Sequence, residues 1–181
     1  KNLKEFNDKV YKRGERKHYT PLLFWGGKMS PAKLEVLKEI PWRGKRVLNV
    51  GCGTGEVAYH IAVEGAKSVL GIDYAKSAIK TAHSMYQRAN LSFEQKNFSK
   101  LTGTFDVVIL MGTLEHTDSP LRALQKLKKL LAPRGSLIVT SPNWTNPRGY
   151  MLLTLYYLFS AKISLADIHY LTPLEFENWA R

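Results

Sequence analysis

The chain contains a single cysteine, Cys52, and few acidic residues for its size. Its 181 residues include 15 Asp and Glu against 27 Lys and Arg, a formal net charge of +12. One cysteine excludes a disulfide scaffold and a cysteine-rich zinc site. The longest strongly apolar run, residues 150–161, has 12 residues, whereas a membrane-spanning helix needs about 20. The start of the chain lacks the apolar segment of a signal peptide, so we expect a cytoplasmic protein.

The composition and the charge distribution describe a folded protein with a basic front end. An apolar fraction of 44% over this length predicts one domain with a sizeable core. Residues 1–50 carry a net charge of +8, and residues 136–181 carry none. A basic segment attracts nucleic acid, an anionic membrane surface or an acidic substrate, and it is equally consistent with a solvated surface. Charge alone therefore identifies no partner.

Apolar runs that predict strands alternate along the chain with patterns that predict helices. Helices are expected after Ser30-Pro31, after a glycine-rich turn, around Ile79 and after Ser119-Pro120. The expected strands are 46–50, 69–72, 92–96, 105–110 and 137–140. This alternation predicts βαβ units and hence an α/β fold with a mainly parallel sheet.

The residues that carry chemistry begin where the first strand runs into the turn Gly51-Cys52-Gly53-Thr54-Gly55. Such a turn lets a ligand approach the backbone, and the amides of the helix that follows can bind an anionic group. Asp73 ends the second strand 22 positions after Gly51, close to the offset of about 20 at which an acid reaches a ribose. The spacing differs from the dinucleotide pattern, and the lysine of a P-loop is missing. The combination predicts a cofactor that contains a nucleoside.

Several segments resemble the class I S-adenosylmethionine (SAM)-dependent methyltransferases, in the small-molecule branch that includes quinone-biosynthesis methyltransferases. The similar segments are the glycine motif 47–55, the acidic motif 71–74, the fourth strand with Leu114-Glu115-His116, the turn and strand in 127–143, and the H-x-x-T-P-x-E stretch 169–175. The resemblance covers about residues 43–180. It implies a Rossmann-like, doubly wound, mainly parallel sheet, SAM as cofactor and S-adenosylhomocysteine (SAH) as product.

The resemblance also assigns residues to the cofactor. The glycine turn would line the methionine and ribose end of SAM, and Asp73 would hold the ribose hydroxyls. Asn97 stands where the family often has Asp, which makes the expected contact with adenine neutral and weaker. The full set implied by the resemblance is Gly51, Cys52, Gly53, Gly55, Asp73, Tyr74, Asn97, Phe98, Met111, Gly112 and Leu114.

Two histidines are candidates for a catalytic base, which methyl transfer requires only if the acceptor must lose a proton. His116 follows the fourth strand on the cofactor side of the expected sheet, and His169 follows the apolar stretch. For each of them the alternative is a structural role in packing or capping.

Aromatic residues on both sides of the expected core are candidates to shape an acceptor pocket. The candidates are Tyr19, Trp25, Trp144 and Tyr150. The alternative is ordinary core packing. Residues 150–159 are expected to form a helix that covers an apolar pocket, contacts a membrane or packs a homodimer interface.

Some transfer mechanisms and a metal site are not expected. The only cysteine lies in the cofactor turn, which excludes cytosine C5 methylation through a cysteine nucleophile. Asp106, Glu115 and Asp118 do not form an evident cluster, so no metal is predicted. Asp106 is instead expected to cap loops at the start of its strand, and Glu115 either contacts the cofactor side or is solvated.

The predicted organisation is a basic arm with an aromatic loop, residues 1–29, followed by a methyltransferase domain, residues 30–181, with 144–170 as an acceptor-side insertion or lid. A capping box opens a helix at residues 172–175, and two further strands of the resembled fold are missing, so we expect a fragment. The leading hypothesis is methyl transfer to O, N or C of a small molecule. The alternatives are an RNA methyltransferase that uses the basic arm and a non-catalytic binding module.

Overall fold

The computed structural model of the chain describes residues 29–160 and 169–180. Its helices and strands alternate along the chain, as the sequence predicts. In chain order the elements are α1 (Pro31–Glu39), β1 (Arg46–Val50), α2 (Glu56–Val63), β2 (Ser68–Asp73), α3 (Lys76–Met85), β3 (Leu91–Gln95), β4 (Phe105–Met111), α4 (Pro120–Lys128), β5 (Leu131–Thr140), α5 (Pro147–Phe159) and α6 (Pro173–Ala180). Short 3₁₀ turns at Phe98–Lys100 and Leu114–His116 follow β3 and β4.

The described strands form one parallel sheet in the order β3-β2-β1-β4-β5. The chain moves outward from β1 to β3, then returns to place β4 on the other side of β1. Ligands of open α/β sheets bind outside the carboxyl ends of the strands at such a reversal. The topology therefore confirms the predicted Rossmann-like architecture and places a candidate site where β1 and β4 end.

The sheet is buried on both faces because helices cover each side. Val47 and Ile61 belong to the apolar cluster on one face, and the next residue of β1, Leu48, belongs with Leu127 to the cluster on the other. All four residues are fully buried, with 0% of their surface exposed. This arrangement explains why the strands read as continuous apolar runs.

The predicted strand ends agree with the structure to within one residue, except at the start of β5. The sequence predicts a strand at 137–140, whereas β5 begins at Leu131. Phe105 pairs with Leu131 and Val107 pairs with Ser136, so the turn around Pro133 is accommodated as an irregularity within the pairing. The strand is longer than predicted because residues before and after that turn both pair with β4.

Asp106 ties the amino ends of β1 and β4 together, in agreement with its expected capping role. Its Oδ2 accepts from the backbone N–H of Arg46 at 2.8 Å and from Nε at 3.2 Å, and its Oδ1 accepts from Nη2 at 2.9 Å. The hydrogen bonds from the Arg46 side chain lower the pKa of Asp106 to about 2. The residue therefore lies at the edge of the sheet opposite the candidate site.

None of the helices within the described ranges combines the length and the apolarity needed to cross a membrane.

Candidate functional site

The glycine turn after β1 requires backbone shapes that other residues rarely adopt. Gly51 has φ +68°, and a Cβ placed on it would lie 2.2 Å from Oγ1 of Thr113. Thr113 follows β4, and its hydroxyl donates to the carbonyl of Met111 at 3.1 Å. The absence of a side chain at Gly51 therefore lets the two segments that leave β1 and β4 lie against each other.

Asp73 connects the glycine turn to the end of β2. Its side chain is 5% exposed, Oδ2 accepts from the N–H of Gly53 at 3.0 Å, and Oδ1 accepts from the N–H of Ala75 at 2.9 Å. The structure thus brings the acid that is expected to bind ribose into direct contact with the turn that is expected to bind the rest of the cofactor.

The three residues expected beside adenine follow β2 and β3. The backbone joins these two strand ends, because the N–H of Lys96 donates to the carbonyl of Asp73 at 2.9 Å. The carbonyl of Tyr74 accepts from Nε2 of Gln95 at 3.0 Å. Asn97 caps the 3₁₀ turn that contains Phe98, since its Oδ1 accepts from the N–H of Ser99 at 2.9 Å. Their contact with adenine stays a prediction.

The residues expected beside the methionine end follow β4. Gly112 has φ +55°, and its N–H donates to the carbonyl of Thr140 at 3.0 Å. Met111 is half-buried, whereas Leu114 is fully buried in the core on one face of the sheet. Because the side chain of Leu114 packs in the core, its predicted contact with a cofactor would have to be made by its backbone.

Cys52 is held as a neutral thiol. Burial, followed by the charge of Asp73, raises the pKa of the Cys52 thiol. A neutral thiol is a poor nucleophile. The geometry therefore agrees with a place in the cofactor turn and not with covalent catalysis.

The structure brings the two candidate histidines to the same edge of the sheet. His116 ends the 3₁₀ turn after β4, and its N–H donates to the carbonyl of Thr113 at 3.1 Å. The N–H of His169 donates to the carbonyl of Glu115 at 3.1 Å. His169 Nε2 is buried and has no hydrogen-bond partner within the described part of the chain. Their catalytic roles stay predictions.

The position of Glu115 differs from one of the two alternatives that the sequence left open. Its side chain is 2% exposed, so the alternative of a solvated residue is wrong. A carboxyl group so deeply buried beside the site was not selected from the sequence as a site residue. The position of Glu115 in the segment after β4 was the available signal.

Of the four aromatic candidates for the acceptor pocket, the structure describes two. Trp144 is 9% exposed, and its ring meets that of Tyr170 edge-on with centroids 5.0 Å apart. Tyr150 is 58% exposed on α5. Tyr19 and Trp25 lie outside the described residues.

A surface pocket of about 290 Å³ lies elsewhere, and it does not belong to this site. It is lined by residues 67–70 and 89–92, at the amino ends of β2 and β3. Parallel sheets place ligands at the opposite, carboxyl ends. We therefore assign the candidate site to the glycine turn and its neighbours.

Comparison with known proteins gives the family. The model described as "Methyltransferase domain" matches residues 42–168. The ubiquinone biosynthesis O-methyltransferase of Nitrosococcus oceani is 28% identical over 164 residues, which cover 84% of this chain and 69% of that protein. The protein of the same description from Alkalilimnicola ehrlichii is 30% identical over 148 residues, 76% of this chain and 59% of that one.

The fold has a close counterpart among solved structures. The structure of magnesium protoporphyrin IX methyltransferase from Synechocystis, with bound SAH, matches with a TM-score of 0.66 at 20% identity. The match covers 82% of this chain and 67% of that one. At this identity the likeness shows the shared fold.

The fold and the site define a protein that binds a nucleoside-containing cofactor at the carboxyl edge of a parallel sheet. More specifically, the chain belongs to the methyltransferase domain family, within the class I SAM-dependent methyltransferases of the quinone-biosynthesis type. The predicted cofactor, SAM, is the cofactor of this family. The chain spans 69% and 59% of the lengths of the two curated relatives described above.

Proposed function

We propose that this chain is the cofactor-binding core of an enzyme that transfers the methyl group of SAM to an oxygen of a small, apolar acceptor. The observation that carries the proposal is the position of Asp73, whose carboxylate bonds both the glycine turn and the residue that precedes α3. The relatives support small-molecule methylation over an RNA acceptor or a non-catalytic module, since they are described as O-methyltransferases of ubiquinone biosynthesis.

The residues present fit SAM. Asp73 is a buried acceptor of the kind that binds ribose hydroxyls, and it lies against the N–H of Gly53 in the glycine turn. Tyr74, Asn97 and Phe98 would lie at the adenine end, and Met111 and Gly112 at the methionine end. Cys52, Gly53 and Gly55 would complete the turn around the ligand.

The protein would contribute position more than reactive groups. Bound SAM supplies a methyl group on a positively charged sulfur, and transfer forms a C–O bond while the S–CH₃ bond breaks and its electron pair stays on sulfur. The residues of the turn and of the β4 end would hold the cofactor so that its methyl group lies in line with the acceptor oxygen, and this alignment is the main source of rate in such a reaction. A base is needed for the proton of an acceptor hydroxyl, and His169 and His116 are the candidates.

Cofactor binding can be tested by thermal unfolding of the whole 181-residue chain with SAH. A ligand that binds only the folded state raises the melting temperature by mass action. We expect a clear rise for the parent, and for Asp73→Asn we expect an affinity for SAH about 10- to 100-fold lower, since hydrogen bonds to a charged group contribute about 1.5–3 kcal/mol.

Asp106→Asn is the matched control, because it neutralises a carboxylate at the opposite edge of the same sheet. It should lower the melting temperature without SAH and leave the rise caused by SAH unchanged. No response of the parent to saturating SAH, or equal SAH affinities in the parent and Asp73→Asn, would contradict the proposal.

Labelled SAM then identifies the acceptor class. The chain is incubated with SAM that carries a labelled methyl group, together with small phenols or with RNA. Labelled phenol in an organic extract supports the proposal, and labelled RNA favours the alternative. Salt should weaken binding steeply if RNA is the partner. The division at residues 29 and 30, the homodimer, the membrane contact and the cytoplasmic location stay predictions.

A further inference from the structure

The hydroxyl of Thr113 faces the last carbonyl groups of two neighbouring strands. Its Oγ1 lies 3.1 Å from the carbonyl oxygen of Met111, which ends β4, and 3.4 Å from that of Val50, which ends β1. A hydroxyl has one proton to donate, so the two carbonyls share it. Because β1 and β4 pair up to Val50 and Leu110, this hydroxyl continues the connection between the strands just beyond their last paired residues.

The same side chain packs against the glycine turn. A Cβ on Gly51 would lie 2.2 Å from Oγ1 and 2.7 Å from Cγ2 of Thr113, so both branches of the threonine occupy the space beside Gly51. Threonine is stiff at its first side-chain torsion, which keeps both branches in place. The side chain of Thr113 is therefore in direct contact with the turn that is expected to hold SAM.

The backbone of Thr113 begins the 3₁₀ turn that carries a candidate base. Its carbonyl accepts from the N–H of His116 at 3.1 Å. Leu114 is fully buried in that turn and Glu115 is 2% exposed, so the turn is anchored in the core. A threonine at the N-cap of a helix usually bonds an amide of its own first turn, but within this described segment the hydroxyl of Thr113 makes no such bond. The hydroxyl therefore serves the strand ends and not its own turn.

We propose that Thr113 is a positioning residue that fixes the cofactor turn relative to the segment that carries His116, and this inference rests on the proposed function. Its side chain contacts Gly51, and its carbonyl holds the N–H of His116. Methyl transfer depends on the alignment of the reacting groups, and a misplacement of about 1 Å can lower a rate about 100-fold. A residue that contacts both segments therefore links cofactor binding to the position of the candidate base.

Three conservative substitutions separate this role from ordinary stability of the segment after β4. Thr113→Val keeps the branched shape and removes the hydroxyl, whereas Thr113→Ser keeps the hydroxyl and removes Cγ2. Thr117→Val is the matched control, because the Thr117 hydroxyl is also half-buried and donates to the carbonyl of Leu114, in its own 3₁₀ turn, at 2.8 Å. Both valine variants should lower the melting temperature by similar amounts, since each removes one hydroxyl-to-carbonyl bond.

Calorimetric titration of the full chain with SAH measures the first expected difference. Thr113→Val should bind SAH about 3- to 10-fold more weakly than the parent, because the lost hydrogen bond no longer holds the turn in its binding position. Thr113→Ser should stay within about 2-fold of the parent because it keeps the hydroxyl, and Thr117→Val should bind SAH as the parent does. Equal SAH affinities of the parent and Thr113→Val, or an equal loss in Thr117→Val, would overturn this inference alone.

The ring proton resonances of His116 report the link to the candidate base and do not depend on turnover. The variant His116→Gln identifies these resonances by their loss. Saturating SAH should shift them in the parent, in Thr113→Ser and in Thr117→Val, and the shift should be clearly smaller in Thr113→Val. No shift in the parent, or a shift of the same size in Thr113→Val, would overturn this inference alone. No binding of SAH by the parent would overturn the proposed function as well.

Discussion

Phe93 lies between two glycines of the site and makes them a matched pair for mutation. A Cβ on Gly55 would lie 2.5 Å from Cζ of Phe93, and a Cβ on Gly71 would lie 2.6 Å from its Cδ1. The ring is 5% exposed and packs edge-on against His83 with centroids 5.7 Å apart. Because the ring is held on several sides, we expect both Gly55→Ala and Gly71→Ala to destabilise the fold.

The two substitutions should differ in size because the two backbones differ. Overpacking a core costs about 1–3 kcal/mol. Gly55 has φ +88°, where a side chain adds about 1–2 kcal/mol. Gly71 lies within β2 without a left-handed φ, and there alanine recovers about 0.5–1 kcal/mol relative to glycine. We therefore expect about 2–5 kcal/mol for Gly55→Ala and about 0–2.5 kcal/mol for Gly71→Ala.

Urea unfolding in the parent and in a Phe93→Leu background separates the cost of overpacking against the ring from the cost of the backbone angle. Shortening the ring should remove most of the cost of Gly71→Ala and leave about 1–2 kcal/mol of the cost of Gly55→Ala, since a smaller neighbour does not change the backbone angle. Complete rescue at Gly55, or no rescue at Gly71, would refute the reasoning.

Two further predictions concern the edge and the core of the sheet. The pKa of Asp106 is lowered from 3.8 to about 2 by Arg46, so the stability that this carboxylate contributes is present above about pH 4 and is lost as the pH falls toward 2. Acid titration of the unfolding free energy should therefore show a flatter acid limb for Asp106→Asn, and an unchanged limb would count against the ion pair. Leu127→Ala should cost about 2–5 kcal/mol because the side chain is fully buried, whereas Tyr157→Ala, 75% exposed on α5, should change the unfolding free energy by less than about 0.5 kcal/mol. Similar costs for these two variants would contradict the assignment of the core.

Local patterns were sufficient for most of the elements and for the glycine turn with the acid that lies beside it. The apolar run 105–110 became β4, and Ser30-Pro31 marks the start of α1. Gly51 and Asp73 could be selected because a glycine turn and an acid at the next strand end are separated by one βα unit of nearly constant length. Such a spacing is a local property, so it can be read without knowing how distant segments pack.

The environments of Asp106 and Glu115 could not be predicted from local sequence patterns. Both are acids near the ends of one strand, but Asp106 pairs with Arg46 at the amino edge, whereas Glu115 is 2% exposed at the carboxyl edge. The sequence left Glu115 undecided between contact and solvation. The decision came from segments far along the chain, including the one that carries His169.

By itself, the sequence determined the class of the fold, four of the five described strands, the glycine turn and the acid beside it, because each depends on residues within one βαβ unit. Only the tertiary structure decided which polar atoms are buried near the carboxyl ends of β4 and β5. Ser141, Trp144 and His169 come from separate segments, and they share one edge because β5 pairs with β4 and the segment before α6 bonds back to Glu115. Burial then leaves one polar side-chain atom of each without a hydrogen-bond partner in the described part of the chain, a property that belongs to the packed molecule and to no single stretch of its sequence.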